Sequence, residues 1–209
     1  MTTLRPSGTA GYDQAAPALL GTRLPFAEVH RHILHLFPIQ PARILDVGSG
    51  PGHDAATLVG RGHSVTAVEP TPELRDGAKA LYSDLPVEWL DDSLPALKRL
   101  DHTHPFDFIL LEGVWAHLTE AERAEGFRRL ASLLAEGGTL AISLRHGPAV
   151  PGRVTHPVTA AETIALACAA GLDVLVNVET SSIQPANIAT GVTWTRMAFG
   201  KPKSATIPS

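Results

Sequence analysis

Apolar and polar positions along this chain follow two periods, and the switches between them mark out its elements. From Phe26 to Phe37 the apolar side chains Phe26, Val29, Ile33, Leu36 and Phe37 keep the i, i+3, i+4 spacing of an amphipathic helix, which Pro38 stops. Short apolar runs of strand length then stand at 43–47, 63–68, 87–90, 106–111 and 139–144. Helical signals fill the gaps between them. A helix over 54–59 is stopped by Gly60 and Gly62, and Thr71-Pro72-Glu73 supplies an N-cap, a proline at the first helical position and an acid in the first turn of a helix reaching about Tyr82. Asp91-Asp92-Ser93 leads into a short amphipathic segment ending near Leu100. Thr119-Glu120-Ala121-Glu122 has the form of a capping box for a helix reaching Ala135, ended by Gly137-Gly138. A second box, Thr159-Ala160-Ala161-Glu162, opens a helix that closes at Gly171, and two strands at 172–179 and 192–199 follow with only a polar loop between them.

Five strands alternating with helices imply a parallel sheet covered on both faces. Two successive strands with no helix between them pair as a hairpin, so one of them enters the sheet antiparallel. The expected fold is therefore α/β, Rossmann-like, with a seven-stranded, mostly parallel sheet and a C-terminal antiparallel hairpin. A length of 209 residues suits one such domain, over 26–200. Before it, residues 1–25 are rich in Pro, Gly, Ala and Thr and form a mobile arm or a short helix, a candidate lid in which Tyr12 and Asp13 stand out; a tail over 201–209 is expected to fray.

Composition narrows the setting. A net charge of −4 with no basic block leaves no electrostatic footprint for nucleic acid, so no DNA partner is expected. No apolar run is long enough to span a membrane and Met1–Gly11 lacks the apolar core of a signal peptide, which predicts a cytoplasmic protein without a membrane partner. The single Cys168 excludes an internal disulfide and is expected to be buried in its alanine-rich helix. Oligomeric state leaves no sequence signal.

The chemistry concentrates in Ile44-Leu-Asp-Val-Gly-Ser-Gly-Pro-Gly52, where an apolar strand runs through Asp46 into glycines at 48, 50 and 52. Glycine accepts positive φ and leaves no Cβ where a ligand must lie against the backbone. The next strand ends in Glu69, an acid placed to take the two hydroxyls of a ribose, so the pair predicts a nucleoside-bearing ligand. A nicotinamide or flavin site would suit Glu69 equally, but its Gly-x-Gly-x-x-Gly fingerprint puts the third glycine at position 53, which is His53. The region also offers Asp46, Asp54 and Glu69 with no lysine between Arg43 and Lys79, which suits a ligand carrying positive charge better than a pyrophosphate. A tight turn with no ligand is the plain alternative.

From about Ile33 to Phe199 the order of elements, and most specifically Asp46-Val-Gly48-Ser-Gly50-Pro-Gly52, resembles the class I S-adenosylmethionine-dependent methyltransferases. The resemblance implies that the backbone of Gly48 and Gly50 lies along the methionine part of S-adenosylmethionine, with Asp46 bonding its amino group and Glu69 its ribose. It places Asp92 and Ser93 at the adenine, with Asp91 an equal candidate for the acid, and it makes Tyr12 a lid residue over the cofactor. For the acceptor side, Trp115 and His117 follow the fourth strand, and Arg145 and His146 the fifth, at the carboxyl edge where α/β ligands collect. His117 is the candidate base for a hydroxyl or amine nucleophile, and Trp115, Arg145 and His146 are candidate substrate contacts. Arg145 or Arg153 could clamp a carboxylate or phosphate. The plainer alternatives are that Trp115 caps the core, that His117 bonds a backbone carbonyl, that the arginines pair with a local acid or lie exposed to solvent, and that Tyr12 and Asp13 form an ordinary turn in a frayed arm. No metal is expected, because His30, His32 and His35 do not complete a ligand set.

The expectation is thus an enzyme moving a methyl group from S-adenosylmethionine to a small-molecule acceptor. A non-catalytic S-adenosylmethionine-binding regulatory or scaffold protein and a methyltransferase acting on protein or RNA are the alternatives. No motif after the fourth strand fixes the acceptor atom as oxygen, nitrogen, carbon or sulfur.

Overall fold

The computed structural model of the chain describes residues 7–101 and 103–203. Seven strands form one sheet: β1 (Arg43–Val47), β2 (Ser64–Val68), β3 (Glu88–Leu90), β4 (Phe106–Leu111), β5 (Leu134–His146), β6 (Asp173–Ser181) and β7 (Thr193–Gly200). Their order is β3-β2-β1-β4-β5-β7-β6. The first five run parallel, and β7 inserts antiparallel between β5 and β6. After β1 the chain moves outward to β2 and β3, then returns to the other side of β1 at β4. The loops leaving the carboxyl ends of β1 and β4 therefore diverge and open a crevice between them.

The central strands read as continuous apolar runs because both faces are covered. Neighbours in β1 go to opposite layers. Leu45 joins Ile109, Leu111, Phe127, Leu130 and Phe199 on one face, and Ile44 joins Phe108, Leu110, Phe37 and Leu58 on the other. The first face is covered by α5 (Glu120–Leu133) and α6 (Ala160–Ala169), the second by α3 (His53–Gly60) and the segment before β1. Two further helices, α1 (Tyr12–Leu20) and α4 (Pro72–Leu81), pack on each other. Among the described residues no helix is long and apolar enough to cross a membrane.

Several elements differ from the sequence reading for identifiable reasons. The predicted helix over 26–37 is one α-turn, α2 (Phe26–Val29), followed by turns and a 3-10 turn at Leu34–Leu36. Phe26, Ile33 and Phe37 are buried as the spacing predicted, but His30 leaves the helical conformation with φ −100° and ψ 12°. Its ring packs between Phe26 and Phe37, and its Nε2–H donates to Asp54 across the layer at 2.9 Å. The buried polar bond takes precedence over helix continuation. Gly137-Gly138 does not end α5, which stops at Leu133; both glycines lie inside β5, where the pairing with β4 shifts register. Lys201 is pinned rather than frayed: it exchanges backbone hydrogen bonds with Gly137 and Gly138, and its ammonium donates to the carbonyls of Ala131 and Leu134. Residues 204–209 of the expected tail lie outside the described residues.

The first capping box is complete, with Thr119 and Glu122 each bonding the other's backbone N–H. The second is half formed. Thr159 accepts from the Glu162 N–H, but the Glu162 carboxylate turns to α5 and takes a bidentate bond from Arg123 at 2.7 and 3.0 Å. Between β6 and β7 a short helix, α7 (Pro185–Ala189), interrupts the loop read as polar connection. Cys168 is exposed, contrary to expectation, because the buried stripe of α6 runs through Thr163 and Ala167.

Candidate active site

The crevice between β1 and β4 holds a cavity of about 540 Å³, within the range of small-ligand sites. Its floor is the glycine loop. Gly48, Gly50 and Gly52 all have positive φ, and the amides of Gly48 and Ser49 both donate to the Val68 carbonyl, which ties the loop to β2. Gly48 has no room for a side chain, since its Cβ would stand 2.5 Å from Val114 Cγ2. At Gly50 (φ 53°) a Cβ would meet nothing within 4 Å, so its flank faces open cavity.

Glu69 follows β2 directly and is buried. One carboxylate oxygen accepts from the Gly50 N–H at 2.9 Å and the other from the Thr71 N–H at 2.8 Å. Burial raises its pKa above the ordinary carboxylate value, and those amides oppose the rise. Asp46, at the end of β1, is 2% exposed, and its Oδ2 is buried with no hydrogen-bond partner. Burial first, then the neighbouring Asp54, Glu69 and Glu112, push its carboxyl well above the ordinary range. Asp54 is paired with His30, and Glu112 with Arg196. Among the described residues, no cationic side chain forms an ion pair with the carboxylate of Asp46 or Glu69.

The opposite wall is basic. His117 lies in the 3-10 turn Trp115–His117 after β4. Its Nδ1 is 2.7 Å from the Val154 carbonyl, which can only accept, so Nδ1 carries the proton. Nε2 of the neutral ring then accepts from the Tyr12 hydroxyl at 2.8 Å. Burial lowers the His117 pKa, and the nearby Arg153, Arg145 and His156 lower it further. The Arg153 guanidinium lies 4.3 Å from the centroid of the Tyr12 ring. Burial raises the Tyr12 pKa; Arg153 and Arg145 pull it down and Glu69 pushes it up, so this phenol stands between the two poles.

Of the residues named from sequence, Tyr12, Asp46, Gly48, Gly50, Glu69, Ser93, His117, Arg145 and Arg153 line this one cavity. Four others do not. Asp92 turns its carboxylate into its own loop, accepting from the amides of Ser93 and Arg99, and Asp91 pairs with Arg75 at 3.0 Å. Trp115 is fully buried in the core, edge-on to Phe127, and does not reach the cavity. His146 bonds Thr195 and lines a separate cavity of about 340 Å³ with Arg145 and His156. The sequence reading missed Glu112, Gln184, Asn187 and Trp194 as cavity residues. Glu112 was within reach, as the first residue beyond an apolar strand at the carboxyl edge. The other three depend on α7 and on which face of β7 turns inward, which no local signal fixes.

An α/β sheet with a switch-point crevice, a glycine loop and a buried acid after β2 is an arrangement that suits a nucleoside-bearing ligand. Residues 44–138 match the family model described as a methyltransferase domain. An uncharacterised methyltransferase of Mycobacterium tuberculosis is 30% identical over 118 residues, which are 54% of this chain and 58% of the relative. The chain thus spans less than two-thirds of the length of that relative. Two solved structures share the fold. A TehB-like SAM-dependent methyltransferase from Corynebacterium glutamicum has a TM-score of 0.66 at 23% identity, over 91% of this chain and 96% of the other. A Burkholderia thailandensis 1,6-didemethyltoxoflavin-N1-methyltransferase, solved with 1,6-didemethyltoxoflavin and S-adenosylhomocysteine, has a TM-score of 0.63 at 22% identity, over 92% and 79%. Residues 44–138 thus match a methyltransferase domain, and the chain shares the fold of these S-adenosylmethionine-dependent methyltransferases over most of its length.

Proposed function

We propose that this chain binds S-adenosylmethionine in the β1–β4 crevice and transfers its methyl group to a small-molecule acceptor. The observation that carries the reading is the Asp46 carboxyl: buried among acids, its free oxygen unpartnered, and beside a glycine loop with an open flank. That arrangement is unfavourable alone and becomes favourable when a cationic amino group is bonded there. Glu69 suits the ribose, and Ser93 lies on the same wall. When bound, S-adenosylmethionine supplies an electrophilic methyl group on a positive sulfur.

The chain's own groups then have separable tasks. Asp46 holds the cationic amino group and Glu69 the ribose, and apolar wall residues such as Val68 and Val114 exclude water. His117 Nε2 is the basic nitrogen, and the Tyr12 hydroxyl bonded to it relays a proton from a protic acceptor. The helix α1, which carries Tyr12, acts as the lid. A small acceptor is favoured by the size of the cavity and by the small molecule bound to the Burkholderia relative.

Calorimetric titration with S-adenosylhomocysteine, followed by a search for its production from S-adenosylmethionine across a panel of small metabolites, tests the reading. Glu69→Gln is the milder variant, keeping an acceptor for one of the Gly50 and Thr71 amides where Ala would free both; it is expected to weaken binding by about 1–2 kcal/mol. His117→Gln should lower turnover by about a hundredfold with product affinity unchanged. Absence of S-adenosylhomocysteine binding overturns the proposal. Binding without methylated product from any acceptor indicates a regulatory or scaffold role, and product only with protein or RNA indicates a macromolecular acceptor.

A further inference from the structure

The cavity is split by charge. Asp46 and Glu69 lie at the glycine-loop end, whereas Arg145, Arg153 and His117 lie at the other, with Tyr12 between. Arginines buried in this fold are matched by acids, whereas Arg145 and Arg153 are half-buried on the cavity wall. Here Arg196 is matched by Glu112 and Arg123 by Glu162, yet among the described residues neither Arg145 nor Arg153 forms an ion pair with a carboxylate. Arg145 gives one N–H to the Pro148 carbonyl, and Arg153 rests on the face of the Tyr12 ring. The two guanidiniums are close enough that Arg153, after burial itself, lowers the pKa of Arg145. Two repelling cations converge on one wall with donors to spare, and Arg145 also borders the smaller cavity beside His156.

We propose that the acceptor is a small-molecule carboxylic acid, bound as its anion, whose carboxylate is gripped by Arg145 and Arg153 beside the Tyr12–His117 pair. A guanidinium fork matches a carboxylate bidentately. A single negative charge suits the site better than a doubly charged phosphate, because Glu69 and Glu122 line the same cavity. Charge thereby sorts the two ligands to opposite ends, the cationic donor to the acids and the anionic acceptor to the arginines. The proposal rests on the reading of the crevice as a donor site and names the acceptor class for it.

The test uses the full chain saturated with S-adenosylhomocysteine and matched probes: benzoate against benzamide, phenylacetate against phenylacetamide, and hexanoate against hexanamide, with affinities measured by ligand-observed NMR. At least one acid is expected to bind about tenfold more tightly than its amide. Arg145→Gln and Arg153→Gln should each erase most of that preference, and Arg145→Lys and Arg153→Lys should retain part of it, which separates loss of charge from loss of fold. S-adenosylhomocysteine affinity should stay within about twofold throughout, since neither arginine lies at the acid pole. The proposal is overturned if the loaded protein binds none of the acids, if every amide binds as well as its acid, or if the preference survives in the double Gln variant. Failure to bind S-adenosylhomocysteine instead overturns the donor-site reading, and an acid preference then measured on the unloaded chain still supports the anion site.

Discussion

Asp46 concentrates the electrostatic conflict of this molecule in one side chain. Its pKa lies well above the ordinary carboxylate value, because burial and three neighbouring acids oppose its charge. Folding therefore takes up a proton at pH values between the unfolded pKa and the raised one. The native state is least penalised below the unfolded value, and stability is lost as pH rises through the folded value. Asp46→Asn removes that titration. The variant should melt above the wild type at about pH 8, by roughly 2–4 °C for each kcal/mol recovered in a chain of this size, with the gain vanishing toward about pH 4. The same change should weaken S-adenosylmethionine binding by about tenfold, since the charge-assisted partner is lost. Thermal melts at both pH values, paired with calorimetry, read the two effects; an Asn variant no more stable than wild type at the higher pH would refute a neutral buried carboxyl. At this scale Asp46, Gly48, Gly50 and Glu69 were legible because adjacency to a strand end fixes where they fall. Trp115 was not: one residue of 3-10 turn decides whether a side chain after β4 enters the core or the cavity, and hydropathy does not distinguish the two.

Between elements, the glycine loop and the loop after β4 meet where Val114 lies against Gly48. Gly48 has φ 68°, and an added Cβ would stand 2.5 Å from Val114 Cγ2. Gly48→Ala therefore meets two separate penalties, about 1–2 kcal/mol for a left-handed backbone with a Cβ and about 1–3 kcal/mol for overpacking. Val114→Ala in the same background should relieve the second and leave the first, so denaturant unfolding of the four proteins of the cycle should give a positive coupling with residual destabilisation. Complete recovery would mean that backbone conformation is not what demands glycine there. The elements themselves were mostly visible in the periodicity, because β1, β2, β4 and β5 are buried on both faces and so appear as mostly apolar runs. What escaped was set across the chain: His30 turns inward for Asp54 and breaks a helix, Glu162 leaves its cap for Arg123, and Lys201 holds the end of α5. Each is a polar bond between segments far apart in sequence, invisible to a local pattern.

For the molecule as a whole, the sheet supplies a rigid crevice, while α1, the proposed lid, packs on α4 and carries Tyr12 to His117. The fit between the two helices depends on Gly77 of α4, whose absent side chain leaves room for Leu20: a Cβ there would stand 2.4 Å from Leu20 Cδ1. Gly77 has ordinary helical conformation, so a substitution strains nothing in its own backbone, and valine is no worse a helix former than glycine. Its branched side chain must instead displace Leu20 and lift α1 from α4. Gly77→Val is accordingly expected to leave the sheet and the unfolding midpoint nearly unchanged, to expose α1 to limited proteolysis, and to weaken S-adenosylhomocysteine binding by about tenfold through loss of the closed wall. Leu20→Ala in the same background restores the space and should recover much of that affinity, which a defect in α4 itself would not permit. If proteolysis shows α1 released while affinity is unchanged, α1 packs beside the site without closing it. A recovered affinity in the double variant instead makes the α1–α4 contact the element that couples the N-terminal helix to ligand binding more than 50 residues away in sequence, since Tyr12 and Glu69 then report on the same closed state from opposite poles of the cavity.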